Sequence, residues 1–295
     1  MTQPLNRQAL GAYVQQLEAK ERAELGPQGI AAIIERGRRW KLGDTLKQGG
    51  SIVFPHAGLK PCGHQIAATA QACLDSGAPA ILVVGVLHAL SDELQDSRVR
   101  VANGADVTKE KYWGFQGPGL PGHDNWKTEY SLNDFLFLLD AECKARGIKS
   151  PEVIVRYPYL VGGRPMIFPG MDELQKLVKD GAVVVSTADP FHHGIGYNDP
   201  PDKALYPEQG GLDLARQTIQ AGLDILRIGD YWGYNQHCVT AKSDARDCGQ
   251  TVRYLLGPLQ GRVLDITYSD TTEMYGTPPP TWVAGALIEQ RKVAA

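Results

Sequence analysis

The sequence predicts an α/β fold, a single domain with a central mixed, largely parallel sheet flanked by helices. Two observations predict it. Short apolar runs ending in turn residues alternate with stretches of helical spacing, the pattern of strands buried on both faces and covered by helices. The chain, 295 residues at 43% apolar content, is long enough for one large core, and neither a linker nor a fixed-period repeat divides it.

The elements follow in order. Leu10, Tyr13, Val14 and Leu17 fall at helical spacing and GIAAIIERGRRW continues it, so two helices fill an N-terminal segment over 1–48. SIVFPHAG reads as a short strand ending in a turn, GHQIAATAQACLDSG as the helix after it, and AILVVGVLHA as the next strand. Residues 103–130, rich in Gly, Pro and aromatics (Tyr112, Trp113 and Phe115 among them), have no sustained period and read as a long ordered loop, a candidate lid or binding segment. SLNDFLFLLDAECKARG is a helix, PEVIVRYPYL a strand, MDELQKLVKDG a helix, and AVVVSTADPFHHG a strand running into a turn. GLDLARQTIQAGLDILRIG and QTVRYLLGPLQG are helical, and RVLDITYSDTTE and TWVAGALIEQ are the last strands.

Charge and cysteine usage exclude several classes of function. Thirty basic against thirty-three acidic residues leave a net charge of −3, too balanced for a surface that tracks phosphates, so nucleic acid is not an expected partner. The N-terminus carries charges throughout and no apolar run reaches membrane-spanning length, so a cytoplasmic protein without membrane association is expected. Five cysteines without CxxC spacing argue against a disulfide framework or a zinc knuckle. Cys62 reads as a small buried apolar group rather than a reactive thiol.

Chemistry is concentrated in histidine. His56, His88 and His192 each follow an apolar strand, and ligands of open α/β sheets bind in the cleft beyond the strand C-termini. Imidazole is the commonest metal ligand, and a strand end holds it rigidly. Any one of these residues alone is as well explained by a hydrogen bond within its own turn. Their shared placement is what predicts a metal site.

The segments PHAGLKPCG (55–63), VVGVLHA (83–89), VVVSTADPFHHG (183–194) and DCGQTVRYLLGP (247–258) occur in the order of the PHAG, GxxH, SSDxxHxG and CG blocks of the MEMO family. EYSLNDFLFLL (129–139) is similar to that family's EHSLE-type helix, and TWVAGALIEQ to its last strand. The chain thus resembles the MEMO and class III extradiol dioxygenase superfamily over a core at 50–290. The resemblance implies a fold like that of the dioxygenase catalytic subunit, with a mononuclear Fe(II) held by His56, His88 and Cys248. It also makes His192 the acid and base of catalysis, and it suggests a homo-oligomer.

The departures bear on function. Tyr130 stands where the family's EHSLE block has histidine, and Asn133 where it has its second glutamate. Asp247, directly before Cys248, offers a hard oxygen as the alternative third ligand. Two histidines and a carboxylate suit an oxygen-activating Fe(II), whereas a thiolate suits copper or zinc. Tyr130, His193, Tyr197 and His237 are candidates for the substrate pocket, with packing or simple hydrogen bonding the competing explanation for each. The function expected is ring cleavage of a catechol-like or other ortho-hydroxylated aromatic by dioxygen, with His192 titrating near neutrality. The alternative is a non-catalytic MEMO-like protein that binds a redox metal, copper or iron, or a partner peptide in a vestigial pocket. A zinc hydrolase is a third reading, without an evident nucleophile to support it.

Overall fold

The computed structural model describes residues 6–293. Helix α1 (Arg7–Gly37) is capped by the Asn6 side chain and breaks at Gly26, whose φ of 58° and ψ of −176° are non-helical. Pro27 opens the second half, where its missing N–H costs nothing. The two expected N-terminal helices are therefore two arms around one glycine. Helix α2 (Gly43–Lys47) leads into β1 (Ser51–Phe54), α3 (Leu59–Ser76), β2 (Ala80–Val84) and α4 (Asp92–Ala102). The run 103–130 is not one loop. It holds short 3-10 turns and the edge strand β3 (Gly114–Gln116), and Trp113 and Phe115 pack edge-on against Phe168.

Helix α5 (Asn133–Arg146), β4 (Glu152–Tyr159), α6 (Met171–Lys179), β5 (Val183–Thr187) and β6 (Phe191–Gly194) follow. Then come α7 (Leu212–Arg227), α8 (Tyr231–Thr240), α9 (Arg246–Leu256), β7 (Leu259–Asp270), the short α10 (Thr272–Tyr275) and β8 (Thr281–Lys292). The sheet has the order β3-β4-β2-β5-β1-β8-β6, with β7 also paired to β8. Its centre, β4-β2-β5-β1, is parallel, while β3, β6, β7 and β8 pair antiparallel. The expected mixed sheet flanked by helices is what the chain forms. Its parallel strands are buried on both faces, as in Ile81–Val84 and Val183–Val185.

This topology decides where a site can form. Strands β2, β5 and β1 are neighbours and parallel, so their C-termini open on one edge of the sheet. His88, Asp189 and His56 lie just past those three ends. His192 arrives differently. It sits within β6, opposite Val283 of β8 in an antiparallel pair, rather than past the end of a parallel strand as expected. Among the described residues, no helix is long and apolar enough to cross a membrane.

Candidate metal centre and its cavity

The histidines of the two strand ends meet a third group that neither sequence pattern nor resemblance indicated. His56, His88 and Asp244 each offer one ligand atom, all within 4.8 Å of one another. His56 Nε2 lies 3.1 Å from Asp244 Oδ2 and His88 Nε2 lies 3.9 Å from the same oxygen. Although His56 Nε2 and Asp244 Oδ2 are close, they are misaligned for a hydrogen bond, and both are buried without a hydrogen-bond partner. Buried polar atoms are nearly always paired, so two orphans facing each other in an N,N,O set fit a bound divalent metal.

The surrounding groups fix which ring nitrogens point inward. Thr187 donates its hydroxyl hydrogen to the Phe54 carbonyl at 2.9 Å, so at 2.9 Å from His56 Nδ1 its oxygen can only accept. That places the proton on Nδ1 and leaves Nε2 as the ligand atom. His88 is set the same way by Glu129, whose Oε1 lies 2.8 Å from Nδ1 and whose Oε2 accepts the His88 backbone N–H at 2.6 Å. Glu129 also accepts the N–H groups of Tyr130 and Ser131. Burial alone would raise its pKa, but the His88 charge and these hydrogen bonds hold the carboxylate below the usual range. Such outer carboxylates orient a ligating imidazole and raise its basicity. Glu129→Gln is therefore expected to weaken metal affinity by about 10- to 100-fold, measured by competition with a chelator of known affinity.

Without metal, the cluster is a charge sandwich. Asp189 accepts the His56 N–H and has its other oxygen 3.7 Å from His56 Nε2, while Asp244 accepts the Asp189 N–H. Burial opposes a charge on His56, but the Asp189 and Asp244 carboxylates overcome it and raise its pKa to about 9. The metal-free protein therefore gains stability from His56 protonation that is fully present below the ordinary value of 6.5 and lost as pH rises through about 9. A metal must displace that proton. Calorimetry in buffers of different ionisation enthalpy is expected to show release of about one proton per metal at pH 7, with affinity rising through mildly alkaline pH. Proton-neutral binding would contradict a protonated His56.

Neither of the expected third ligands, Cys248 or Asp247, lies in the cluster. Asp247 and Cys248 both lie in the first turn of α9, three and four residues past Asp244, and the helix turns them away from the cluster. Cys248 Sγ donates to the Gly85 carbonyl at 3.2 Å and packs among Leu82, Val84 and Val252. Burial first, then the Asp247 and Asp244 charges, hold its thiol well above its ordinary pKa, which disfavours a thiolate. Asp247 Oδ1 accepts the Val161 N–H at 2.8 Å, past the end of β4.

The cluster opens on a cavity of about 490 Å³ lined by His56, His88, Tyr130, Asp189, His192 and Tyr197. Tyr130 stacks on His88 with ring centroids 4.5 Å apart, and Tyr197 meets His192 edge-on at 4.9 Å. Burial holds both phenols well above their ordinary pKa, so they remain hydrogen-bond donors. His192 Nδ1 is sealed from solvent and has no partner. Burial pushes this imidazole down to about 4, with Asp244 opposing and His56 and His88 reinforcing the shift. It rests neutral at pH 7 rather than titrating near neutrality as expected.

The other two pocket candidates lie elsewhere. Successive residues of a strand face opposite ways, and His193 stacks on Phe191 and lies edge-on to Trp282 on the side away from His192. Its ring is held by Asp199 at 2.9 Å and by the Leu205 N–H. His237, on α8, faces Gly222 of α7 beside a separate void of about 30 Å³ that also touches Cys238 and Cys248. The 103–128 segment contributes no wall either. The outer walls come from Leu10, Val14, Leu17, Glu18 and Glu21 of α1 and from residues at and beyond the end of β7, including Tyr268, Asp270 and Tyr275.

The fold and centre define an α/β protein that gathers two histidines and a carboxylate, able to hold a metal ion, at the C-terminal edge of its parallel strands. No family model matches the chain, and a search of the curated proteins finds no match.

Proposed function

We propose that the protein is a non-haem Fe(II) dioxygenase that cleaves an aromatic ring bearing adjacent hydroxyls, as its resemblance to class III extradiol dioxygenases implies. The observation that carries this reading is the donor set. His56 and His88 each present one nitrogen and Asp244 one oxygen, with both histidines lining a cavity that also holds Tyr130 and Tyr197, and this is the combination that leaves adjacent open positions on Fe(II). The thiolate that favoured copper is absent from the cluster, which weakens the alternative of a redox-metal or peptide-binding protein.

Fe(II), when bound, supplies coordination positions for substrate and dioxygen and a path for electron density from ring to oxygen. The chain's own residues do the rest. His192, neutral at rest beside the cavity, accepts the proton of a substrate hydroxyl and can return it as the ring opens. Tyr130 and Tyr197 donate to substrate oxygens, and a bound ring displaces water from the aromatic and aliphatic walls. Both oxygen atoms enter the product, so no external reductant is required.

The test is anaerobic reconstitution with Fe(II), then oxygen uptake and ultraviolet-visible spectra against catechols, gallates and aminophenols. Uptake with a new ring-fission chromophore is the expected result. Stoichiometric metal without uptake across the panel would leave a metal-binding protein or, since the same donors serve Zn(II), a hydrolase.

A further inference from the structure

The cavity has a charge asymmetry that the metal does not explain. Apart from His56, His88, Asp189 and His192 around the cluster, its charged lining among the described residues is Glu18, Glu21 and Asp270 against a single cation, Lys60. The Lys60 ammonium is drawn away to Glu24, 2.5 Å from its Oε2, and among the described residues no arginine lines the wall. Two of the three carboxylates have structural work. Glu21 Oε2 accepts the Leu59 N–H at the start of α3, and Asp270 Oδ1 accepts the Thr272 N–H.

Glu18 stands apart. Its side chain is only 9% exposed, yet it borders the cavity. Asn133 donates to Oε2 at 2.8 Å, and among the described residues nothing hydrogen-bonds to Oε1. The nearest cation, Arg22, stands 3.9 Å from Glu18 but only 2.7 Å from Asp134, which it neutralises. Burial without a full counter-ion raises the Glu18 pKa to about 7. A buried carboxylate beside an empty volume is stabilised by whatever cation fills that volume. The remaining walls suit an ammonium on an aromatic ring, because Tyr197, Tyr268 and Tyr275 offer π faces and Leu10, Val14 and Leu17 cover the ring.

We propose that the substrate is a catechol whose side chain carries a protonated amine, with Glu18 as the counter-ion, and that catechols with a carboxylate side chain are rejected. This rests on the dioxygenase reading for its catechol end and on the α1 wall for its amine end. A carboxylate in place of the amine would meet the carboxyl groups of Glu18, Glu21 and Asp270 and, among the described lining residues, only a cation already paired with Glu24.

The test compares dopamine, 4-methylcatechol and 3,4-dihydroxyphenylacetate on the Fe(II)-loaded full chain, by anaerobic equilibrium binding and by oxygen uptake. Dopamine should exceed the neutral catechol by about tenfold in affinity and in kcat/KM, as expected for one charge-assisted contact, with the acid weakest. Glu18→Gln should collapse the dopamine-to-4-methylcatechol ratio towards one, and Glu18→Lys should invert the order of dopamine and the acid. Because each ratio is taken within one variant, a general loss of folding does not imitate the result. Preference for the acid, a ratio unmoved by either variant, or no binding of any of the three would overturn the proposal. Glu18-dependent dopamine binding without turnover of any catechol would instead uphold the amine site and overturn the dioxygenase reading.

Discussion

Replacing Asp244 by Ala is expected to abolish stoichiometric metal binding, whereas replacing Cys248 by Ala should leave the metal content unchanged. Asp244 supplies the only oxygen in the cluster, and its Oδ2 has no other partner. Its loss should exceed the roughly 10- to 100-fold typical of an outer partner. Cys248 fills a core position under β2 and gives its hydrogen to Gly85, so its truncation costs stability, about 1 kcal/mol, and not affinity. Because Asp244 Oδ1 also holds the Asp189 N–H, Asp244→Asn is the gentler companion variant. It keeps an acceptor at that position and should still lose most of the affinity with the charge. Metal analysis after dialysis decides the matter. Metal lost from Cys248→Ala and kept by Asp244→Ala would restore the thiolate site and with it the copper or zinc reading.

The group that stands beside His56 and His88, Asp244 rather than Cys248 or Asp247, shows what a sequence can and cannot place. His56 and His88 were legible because apolar strands ending in a turn announce both the strand and its exposed end. Asp244 lies in a polar loop between α8 and α9 with no periodicity to orient it, and three residues further on Asp247 has the right chemistry. Those three residues are most of a helical turn, enough to swing Asp247 onto Val161. Glu129, 41 positions from His88, touches it only because the chain leaving the end of β2 runs beside the start of α5. The misplacement of His193 was avoidable, since the alternation of a strand already puts it opposite His192.

The N-terminal helix poses a different difficulty. Leu10, Val14 and Leu17 declare an apolar face, but a face that covers a cavity has the same spacing as one that covers a core. Conversely, the Gly-, Pro- and aromatic-rich run around residue 113 had the composition of a lid and serves as the packed edge of the sheet, paired through β3 to β4. Helix α4, mostly polar, and α8, with a glycine and no apolar stripe, escaped because their formation depends on neighbours more than on their own pattern. The sheet was legible because buried parallel strands are nearly continuous apolar runs, which few other structures demand.

His192→Ala is expected to lower kcat by about 10²- to 10⁴-fold, the usual contribution of a positioned acid or base, with metal stoichiometry unchanged. Two features separate this role from mere packing against Tyr197. Nδ1 is buried without a partner, an expense that a purely structural histidine would avoid by bonding to a neighbour, as His193 does with Asp199 and Leu205. The ring is also neutral at rest, so it can receive a proton at any pH above about 4. In the variant, the substrate hydroxyl must ionise without help, and its rate should climb with pH as solvent takes over the proton. In the wild type, the rate should be much flatter across the same range. A variant that retains wild-type kcat would remove His192 from the chemistry. One that loses metal together with activity would make it a structural support for the cluster, and the pH profile distinguishes that case from a base whose work hydroxide can partly replace.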